Sequence, residues 1–311
     1  MTHFLSITWN PAEGLHLGPV TLRIYSLMFV VAFGLGWVIM KKIFDREGES
    51  VDKLDKLFIY TLVATLLGAR LGHVFFYDWG YFSQHPEEIL LPVKFSPKFE
   101  FTGFAGLASH GAAVAIILST IWFSKKVIHR PVLWVLDRVV IPVTSGGIFV
   151  RIGNFFNSEI LGSVTSPDTP TAVRFIKGED FLKKSDAIEI TKAANPTEAY
   201  NLIEKDPQFA TTLAKIPFRH PAQLYEAVLY VFVFLIIFYM YWKTDSRKHH
   251  GLIFGVFLVL LWSVRFVVEF VKESQGGFDS QGLLTGQWLS IPFILAGFYL
   301  IFTAKKRTET L

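Results

Sequence analysis

Long apolar blocks alternate with short polar segments along this chain. A helix needs about 20 residues to cross the hydrocarbon core of a bilayer. Seven blocks approach this length and predict spans at Ile24–Met40, Leu57–Tyr77, Phe104–Phe123, Leu133–Val150, Ala227–Trp242, Leu252–Val271 and Trp288–Phe302. The fourth block is the weakest, because it contains Asp137, Arg138 and Pro142, and it is predicted to be kinked or partly interfacial. The pattern predicts an all-α polytopic membrane protein.

The composition agrees with this class and narrows the possible chemistry. Hydrophobic residues make up 51% of the chain and charged residues only 18%, and the mean hydropathy is +0.41, which is unlike a soluble domain. The chain contains no cysteine, which excludes disulfides, thiolate metal sites and a thiol nucleophile of its own. The net charge is +4, and the basic residues lie beside the apolar blocks. This placement indicates membrane topology rather than a nucleic-acid partner.

Lysine and arginine are concentrated in alternate connecting segments. The basic segments follow the first, third, fifth and seventh spans, and they contain Lys41, Lys42, Arg46, Lys53 and Lys56; Lys125, Lys126 and Arg130; Lys243, Arg247 and Lys248; and Lys305, Lys306 and Arg307. The segment Asp78–Gly103 instead has two lysines against four acidic residues. Because basic loops stay on the cytoplasmic side, we expect the N-terminus outside and the C-terminus in the cytoplasm.

One long hydrophilic segment, Ser163–Pro217, separates the fourth and fifth predicted spans. It has mixed charges, several prolines and the pattern of an amphipathic helix around Pro196–Ala214. Three segments are therefore predicted: residues 1–162 with four spans, residues 163–217 as a small outer module, and residues 218–311 with three spans. A floppy insertion is the alternative for the middle segment.

Ionisable and amide residues inside or at the ends of the spans gather at one depth. Such groups are costly in lipid unless they are paired or functional. With the predicted orientation they all lie toward the outer leaflet: Tyr25, Arg70, His110, Arg265, Glu269 and the run Arg151-Ile-Gly-Asn-Phe-Phe-Asn-Ser-Glu-Ile-Leu-Gly162. The shared depth indicates a site rather than scattered structural charges.

The isolated polar residues also have structural explanations. Arg265 and Glu269 are four residues apart and can form an intrahelical ion pair. Arg70 can extend to the headgroups, and Tyr25 can belong to the interfacial aromatic belt. His110 alone would more often be a packing histidine. These explanations weaken for the Arg151–Gly162 run, which combines a cation, two amides, a carboxylate and two glycines.

The residue types favour chemistry on a phosphate-bearing substrate. Arginine forks bind phosphate oxygens in pairs and stabilise the charge of a departing phosphate. A histidine can take a proton from an attacking nucleophile. In a membrane the natural phosphate carrier is a phospholipid, and any thiol nucleophile has to come from a second substrate.

The Arg151–Gly162 run resembles the signature of the prolipoprotein diacylglyceryl transferases. Other stretches resemble the same family in the family's order: Gly68-Ala-Arg-Leu-Gly72, Ser109-His-Gly111, Arg219-His-Pro-Ala-Gln-Leu-Tyr-Glu226, Arg265-Phe-Val-Val-Glu269 and Thr285-Gly-Gln-Trp-Leu-Ser-Ile-Pro292. The chain departs from the family pattern at Ala112, at Ser158, at Leu261 and Trp262 where relatives often have a tyrosine, and at Lys272-Glu-Ser274 in place of an Arg-x-Pro type sequence.

The resemblance implies a multi-pass enzyme of the bacterial cytoplasmic (inner) membrane whose active site faces the outer leaflet. It would transfer the diacylglyceryl group of phosphatidylglycerol to the lipobox cysteine of preprolipoproteins, the first step of lipoprotein maturation, and release glycerol 1-phosphate. Its partners would be these two substrates and membrane lipids. The resemblance implies no cofactor, no metal and no nucleic acid.

The resemblance also assigns roles to residues. His110 would be the base on the substrate thiol, and Arg151 and Arg265 would hold the phosphate. The residues implied in substrate binding are Glu159 and Glu269, which would orient the arginines; Tyr25, Asn154 and Asn157, which would shape the headgroup site; Gly162, which would let the loop turn close to the lipid; and Arg70.

Two other classes of function use similar residues. A transporter or channel can carry His, Arg and Glu inside the membrane as a relay or an anion site. Such proteins more often show repeated halves and a site at the midplane, whereas this chain shows no internal repeat. A lipid-binding scaffold is the other alternative, but it has no need of a titratable histidine beside two arginines.

Overall fold

The computed structural model describes residues 7–17, 20–91, 93–94, 100–101, 106, 108–178, 181–273 and 282–308. Within these ranges the chain forms α1 (Ile24–Glu47), α2 (Val51–Phe76), α3 (Trp79–Phe82), α4 (Ser109–Phe123), α5 (Val132–Phe156), α6 (Lys184–Thr191), α7 (Pro196–Lys205), α8 (Ala210–Lys215), α9 (Ala222–Lys243), α10 (Leu252–Val268) and α11 (Thr285–Thr303). A π-helical turn continues α4 over Ser124–Ile128, and 3-10 turns continue α10 over Glu269–Val271 and α11 over Ala304–Arg307.

Short strands connect some of the helices. They are β1 (Ile7–Trp9), β2 (Gly14–Leu17), β3 (Val20–Arg23), β4 (Val93–Lys94), β5 (Glu100–Phe101), β6 (Val173–Phe175) and β7 (Phe218–Arg219). The order β1-β6-β7 makes one sheet, in which β1 runs parallel and β7 antiparallel to β6. β2 pairs with β3, and β4 with β5. Two compact units share the chain: one combines Met1–Gly36 with Val140–Leu311, and the other is Trp37–Val139.

In the described part of the chain, seven helices are long and apolar enough to cross a membrane, which confirms the predicted all-α polytopic class. They are Ile24–Glu47, Val51–Phe76, Gly111–Ile128, Val132–Phe156, Ala222–Lys243, Leu252–Val271 and Thr285–Arg307. Several extend past the predicted blocks, because polar turns stay helical after the apolar run has ended. The predicted start of the third span at Phe104 lies outside the described residues.

The fourth predicted span is one continuous helix despite its charged residues. Asp137 and Arg138 are fully buried. The Arg138 guanidinium lies 3.0 Å from a Glu47 carboxylate oxygen and 4.0 Å from the centre of the Trp134 ring. Within the Trp37–Val139 unit, the Glu47 carboxylate and the face of the Trp134 ring therefore compensate the charge of Arg138, one of the residues that made this block the weakest predicted span.

Close contact between α2 and α4 explains the glycines that the sequence places there. A Cβ atom on Gly111 would lie 2.2 Å from the carbonyl oxygen of Gly68 and 2.6 Å from the Cα of Gly72. The backbone of Ala108 also donates to the carbonyl oxygen of Ala69 over 2.9 Å. Small residues let two membrane helices approach at backbone distance.

The segment 163–217 contains β6, which packs against Phe155 and Leu161, and it forms α6, α7 and α8 around its own apolar core. This core contains Ile176, Leu182, Ala187, Ala199, Tyr200, Ile203 and Ile216. The single amphipathic helix predicted around Pro196–Ala214 is wrong in one respect, because it is split into α7 and α8. Pro207 restricts the preceding Asp206 to an extended backbone (φ −89°, ψ 121°), which ends α7.

Candidate functional site

The Arg151–Gly162 run leaves the end of α5 through a strained turn. Ser158 and Ile160 have φ angles of 53° and 57°, a left-handed conformation that is costly for a β-branched residue. Gln223 from α9 holds this turn, because its Nε2 donates to the carbonyl oxygen of Glu159 over 2.6 Å. Strain of this kind persists only where the surroundings enforce it, and here it folds Glu159 back toward α5.

The carboxylate of Glu159 is held by two amides of the same run. Asn154 Nδ2 donates to it over 2.7 Å and Asn157 Nδ2 over 3.3 Å. The Oδ1 of Asn154 accepts from Arg151 Nη1 at 3.4 Å, and Tyr25 of α1 hydrogen-bonds to the same side chain. Five residues that the resemblance assigns to the site thus form one connected network.

The direct carboxylate partner of Arg151 is Glu226 of α9. Arg151 Nε lies 2.5 Å from Glu226 Oε2, and the exposed fraction of the Glu226 side chain is only 1%. Arg151 also hydrogen-bonds to Tyr230, one turn further along α9. The resemblance assigned the orientation of Arg151 to Glu159, but among the described residues Glu159 is linked to Arg151 through Asn154 and not by direct contact. Glu226 is therefore the carboxylate that directly orients the guanidinium of Arg151.

Arg265 lies in the last turn of α10 and differs from Arg151 in its partners. Among the described residues it has no ion pair with a carboxylate, and its buried Nε has no hydrogen-bond acceptor. Its guanidinium lies 5.4 Å from the centre of the Trp262 ring, which is itself stacked on Phe293 at 4.1 Å. A buried guanidinium donor without an acceptor is costly, so this group is suited to receive an anion.

Glu269 does not form the intrahelical ion pair with Arg265 that its spacing permits. Its Oε1 accepts from the backbone N–H of Gly286 at 3.2 Å, and its Oε2 lies 3.8 Å from Lys272 Nζ. The first N–H groups of α11 have no partner within their own helix and carry the positive end of its dipole. The carboxylate is therefore drawn to the start of α11.

Gly162 lies between two backbone segments at the end of the signature run. Its N–H donates to the carbonyl oxygen of His220 over 3.0 Å. A Cβ atom here would lie 2.3 Å from that oxygen and 2.8 Å from the carbonyl oxygen of Val271. The observed contacts are thus with protein backbone, and they require glycine at this position.

We expect Gly162→Ala to lower the stability of the purified protein, because the added methyl group meets backbone that cannot move aside. Overpacking of this kind costs about 1–3 kcal/mol. The midpoint of thermal unfolding in detergent measures the effect, and Gly34→Ala is the matched control, since a Cβ there has no neighbour within 4 Å. Equal midpoints for the two variants would contradict the close packing of Gly162.

Arg70 and His110 belong to the Trp37–Val139 unit. Arg70 Nε donates to the carbonyl oxygen of Ile89 over 2.7 Å, and its Nη2 to that of Glu88 over 2.9 Å. These partners are typical of an arginine that ties a loop to its helix. His110 lies in the first turn of α4, and its side chain lies outside the described residues.

A possible cation site lies elsewhere in the same unit. His85, Glu87 and Glu88 bring three potential ligand atoms within 4.8 Å of one another. The Glu88 carboxylate already accepts from the Tyr81 hydroxyl over 2.6 Å. This group shares no residue with the network around Arg151.

Three residues of the site went unassigned in the sequence. Glu226 and Gln223 stand in the Arg219–Glu226 stretch, and Lys272 is one of the departures from the family pattern. A usable signal existed for Glu226, because a carboxylate directly beside the apolar block Ala227–Trp242 is costly in lipid unless it is paired or functional. No comparable signal exists for Gln223, whose role depends on the turn that it contacts.

The fold and the network define a class: a polytopic membrane protein with arginines, amides and carboxylates buried at the ends of its spans. The family model described as prolipoprotein diacylglyceryl transferase matches residues 13–303. The chain belongs to this family.

Similar proteins named phosphatidylglycerol--prolipoprotein diacylglyceryl transferase occur in several bacteria. The protein of Bacteroides fragilis is 34% identical over 97% of this chain and 97% of its own length. That of Chloroherpeton thalassium is 33% identical over 97% and 96%, and that of Tolumonas auensis is 33% identical over 96% and 97%. Each match covers nearly the full length of this chain and of the relative.

Proposed function

We propose that this protein transfers the diacylglyceryl group from phosphatidylglycerol to the lipobox cysteine of preprolipoproteins. One observation carries the proposal beyond family membership. Arg265 presents a buried Nε without an acceptor among the described residues, and both it and Arg151 lie within electrostatic reach of Tyr230. Two guanidinium groups near one position suit the phosphodiester of a lipid headgroup.

The reaction exchanges one bond for another. The substrate sulfur attacks the glyceryl carbon that carries the phosphate, a C–S bond forms, and the C–O bond breaks with its electrons on the phosphate oxygen. His110 accepts the thiol proton, which compensates the additional negative charge on the departing glycerol 1-phosphate. Because negative charge grows on the phosphate as the C–O bond breaks, Arg151 and Arg265 stabilise the transition state more than the ground state.

The site is proposed to face the outer leaflet of the bacterial cytoplasmic membrane. The basic segments after alternate spans support an external N-terminus and a cytoplasmic C-terminus.

This orientation would also put the segment 163–217 outside, on the side where preprolipoproteins arrive. We propose it as the module that receives the protein substrate, and an internal deletion of Ser163–Pro217 tests this role.

A direct assay tests the proposed activity. Purified full-length protein is incubated with phosphatidylglycerol in mixed micelles and a peptide containing a lipobox cysteine. Mass spectrometry then looks for the diacylglyceryl thioether, and an enzyme-coupled assay measures released glycerol phosphate. A peptide with serine in place of the cysteine, and phosphatidylethanolamine in place of phosphatidylglycerol, are the controls. Absence of thioether with every headgroup would overturn the proposal.

We expect His110→Gln to reduce turnover by about 10²–10⁴-fold, the range typical of a lost general base. Binding of phosphatidylglycerol should persist, since glutamine keeps a polar side chain of similar size. The matched control is His249→Gln, because His249 contacts Thr308 at the cytoplasmic end. Unchanged turnover of His110→Gln would assign deprotonation of the thiol to another group.

A further inference from the structure

Lys272 is fixed by its backbone against the signature run. It follows the 3-10 turn that continues α10, and it pairs with Gly162 in an antiparallel bridge. The neighbouring N–H of Ser163 donates to the carbonyl oxygen of Val271 over 2.9 Å. Its Cα therefore has little freedom to move relative to the loop that carries Glu159.

The side chain of Lys272 is buried between two carboxylates. Only 7% of it is exposed, and its Nζ lies 3.6 Å from Glu226 Oε1 and 3.8 Å from Glu269 Oε2. An ammonium group in such a place is costly unless both carboxylates remain ionised and close. Lys272 thus joins α9 to the end of α10.

Among the described residues, the carboxylate of Glu226 is held by two cations, Arg151 and Lys272. Both of its oxygens are buried, and within the described part of the chain neither accepts an aligned hydrogen bond. Arg151 lies against Oε2 and Lys272 against Oε1. With one cation removed, the carboxylate would be free to turn toward the other, and the guanidinium of Arg151 would move with it.

Four charged side chains act on the Lys272 ammonium. Its pKa is lowered, chiefly by burial; Glu226 raises this pKa, Arg265 and Arg151 lower it, and Glu269 raises it. Lys272 therefore lies within electrostatic reach of both proposed phosphate-binding arginines. Its two contacts are with carboxylates, which distinguishes it from Arg265.

We propose that Lys272 is a positioning residue for the transfer reaction: it holds Glu226 and Glu269 together, and through Glu226 it fixes the guanidinium of Arg151. This inference rests on the proposed function. It gives a role to a lysine that stands where the family pattern has an arginine, because one ammonium group reaches both carboxylates. Lys272 acts through these residues and does not itself bind the phosphate.

Three full-length variants test the proposal. Lys272→Met keeps the length of the side chain without its charge, Lys272→Arg restores a cation, and Lys42→Met makes the same change at an exposed lysine near the end of α1. We expect Lys272→Met to lower kcat about 10–100-fold, as small misplacements of catalytic groups do, with KM for phosphatidylglycerol little changed. Lys272→Arg should recover most of the loss, and Lys42→Met should match the unmodified protein.

A double-mutant comparison separates positioning from direct catalysis. Glu226→Asp keeps the carboxylate but draws it away from Lys272, so adding Lys272→Met to it should cost much less than Lys272→Met costs alone. If the two fold-losses multiply, or if Lys272→Met raises KM as much as it lowers kcat, Lys272 acts independently of Glu226 and the proposal is overturned. A lower unfolding midpoint with normal kcat would assign Lys272 a purely structural role and overturn it as well.

Failure of this inference can be told apart from failure of the proposed function. If the unmodified protein and Lys42→Met make no thioether, the transferase proposal falls, and this inference falls with it. If both are active and Lys272→Met equals them, only the positioning role is refuted.

Discussion

Arg265→Lys should reduce turnover by about 10²–10³-fold, the loss typical when a preorganised group that stabilises developing charge is removed. Lysine keeps the positive charge but is a point charge, whereas the guanidinium fork binds two phosphate oxygens at once. The buried Nε of Arg265 has no hydrogen-bond acceptor among the described residues. An anion can therefore bind to this Nε without displacing an existing hydrogen bond. The kcat and KM for phosphatidylglycerol, measured in mixed micelles, test this expectation.

Arg174→Lys is a demanding control for this experiment. The Nε of Arg174 is also buried without an acceptor, but its guanidinium lies over the Phe218 ring at 4.3 Å, in the sheet β1-β6-β7. Arg174 lies in the segment 163–217, which is proposed to receive the protein substrate. We therefore expect this variant to keep the kcat and the KM for phosphatidylglycerol of the unmodified protein, and any change to fall on the KM for the lipobox peptide. If Arg265→Lys is equally active, the unpartnered Nε does not mark a phosphate site, and Arg265 is a structural residue of α10.

Glu226→Gln should destabilise the protein by about 3–5 kcal/mol, because it leaves the buried charges of Arg151 and Lys272 without their shared carboxylate. The Glu226 side chain is 1% exposed and that of Arg151 13%, so solvent cannot replace the lost interaction. Activity should fall sharply at the same time, since Arg151 loses its orientation. The midpoint of unfolding in detergent and the rate of thioether formation report the two effects.

Glu273→Gln is the matched control for Glu226→Gln. Glu273 pairs with the buried Arg219 at 2.7 Å, but its own carboxylate is 49% exposed. Water therefore screens this pair, and Arg219 keeps its hydrogen bond to the carbonyl oxygen of Gly162, so we expect a smaller loss than for Glu226→Gln. A double-mutant cycle of Glu226→Gln with Arg151→Met would show a large coupling if the pair acts as a unit. Additive effects in that cycle would separate the two residues and refute the ion pair as the support of Arg151.

Residues close in sequence were predicted well, and partners from other helices were not. The spacing of Arg265 and Glu269 predicted a common helix face, which is correct geometry for a regular helix. The 3-10 turn over Glu269–Val271 and the N–H of Gly286 instead draw the carboxylate to the start of α11. Local spacing cannot show which of two competing partners a carboxylate will meet.

Arg151 shows the same limit of sequence spacing, because its direct partner comes from another helix. Its predicted partner Glu159 is a near neighbour in sequence, and the network through Asn154 does connect them. Its direct partner Glu226 comes from α9, and nothing in the spacing of the two residues relates them. The sequence shows that Glu226 is a carboxylate beside an apolar block, but it does not show that Arg151 is its partner.

The sequence by itself determined the membrane class, the seven spans and the family, because each depends on local hydropathy or on contiguous motifs. It also determined the residues of the signature run that form a network with one another. Only the tertiary structure decided that Glu226 supports Arg151, that Lys272 joins two carboxylates, and that Arg265 lacks an ion pair among the described residues. The reason is physical: buried charges are compensated by whichever opposite charges the packed helices bring within a few ångströms, and this depends on the whole arrangement of those helices.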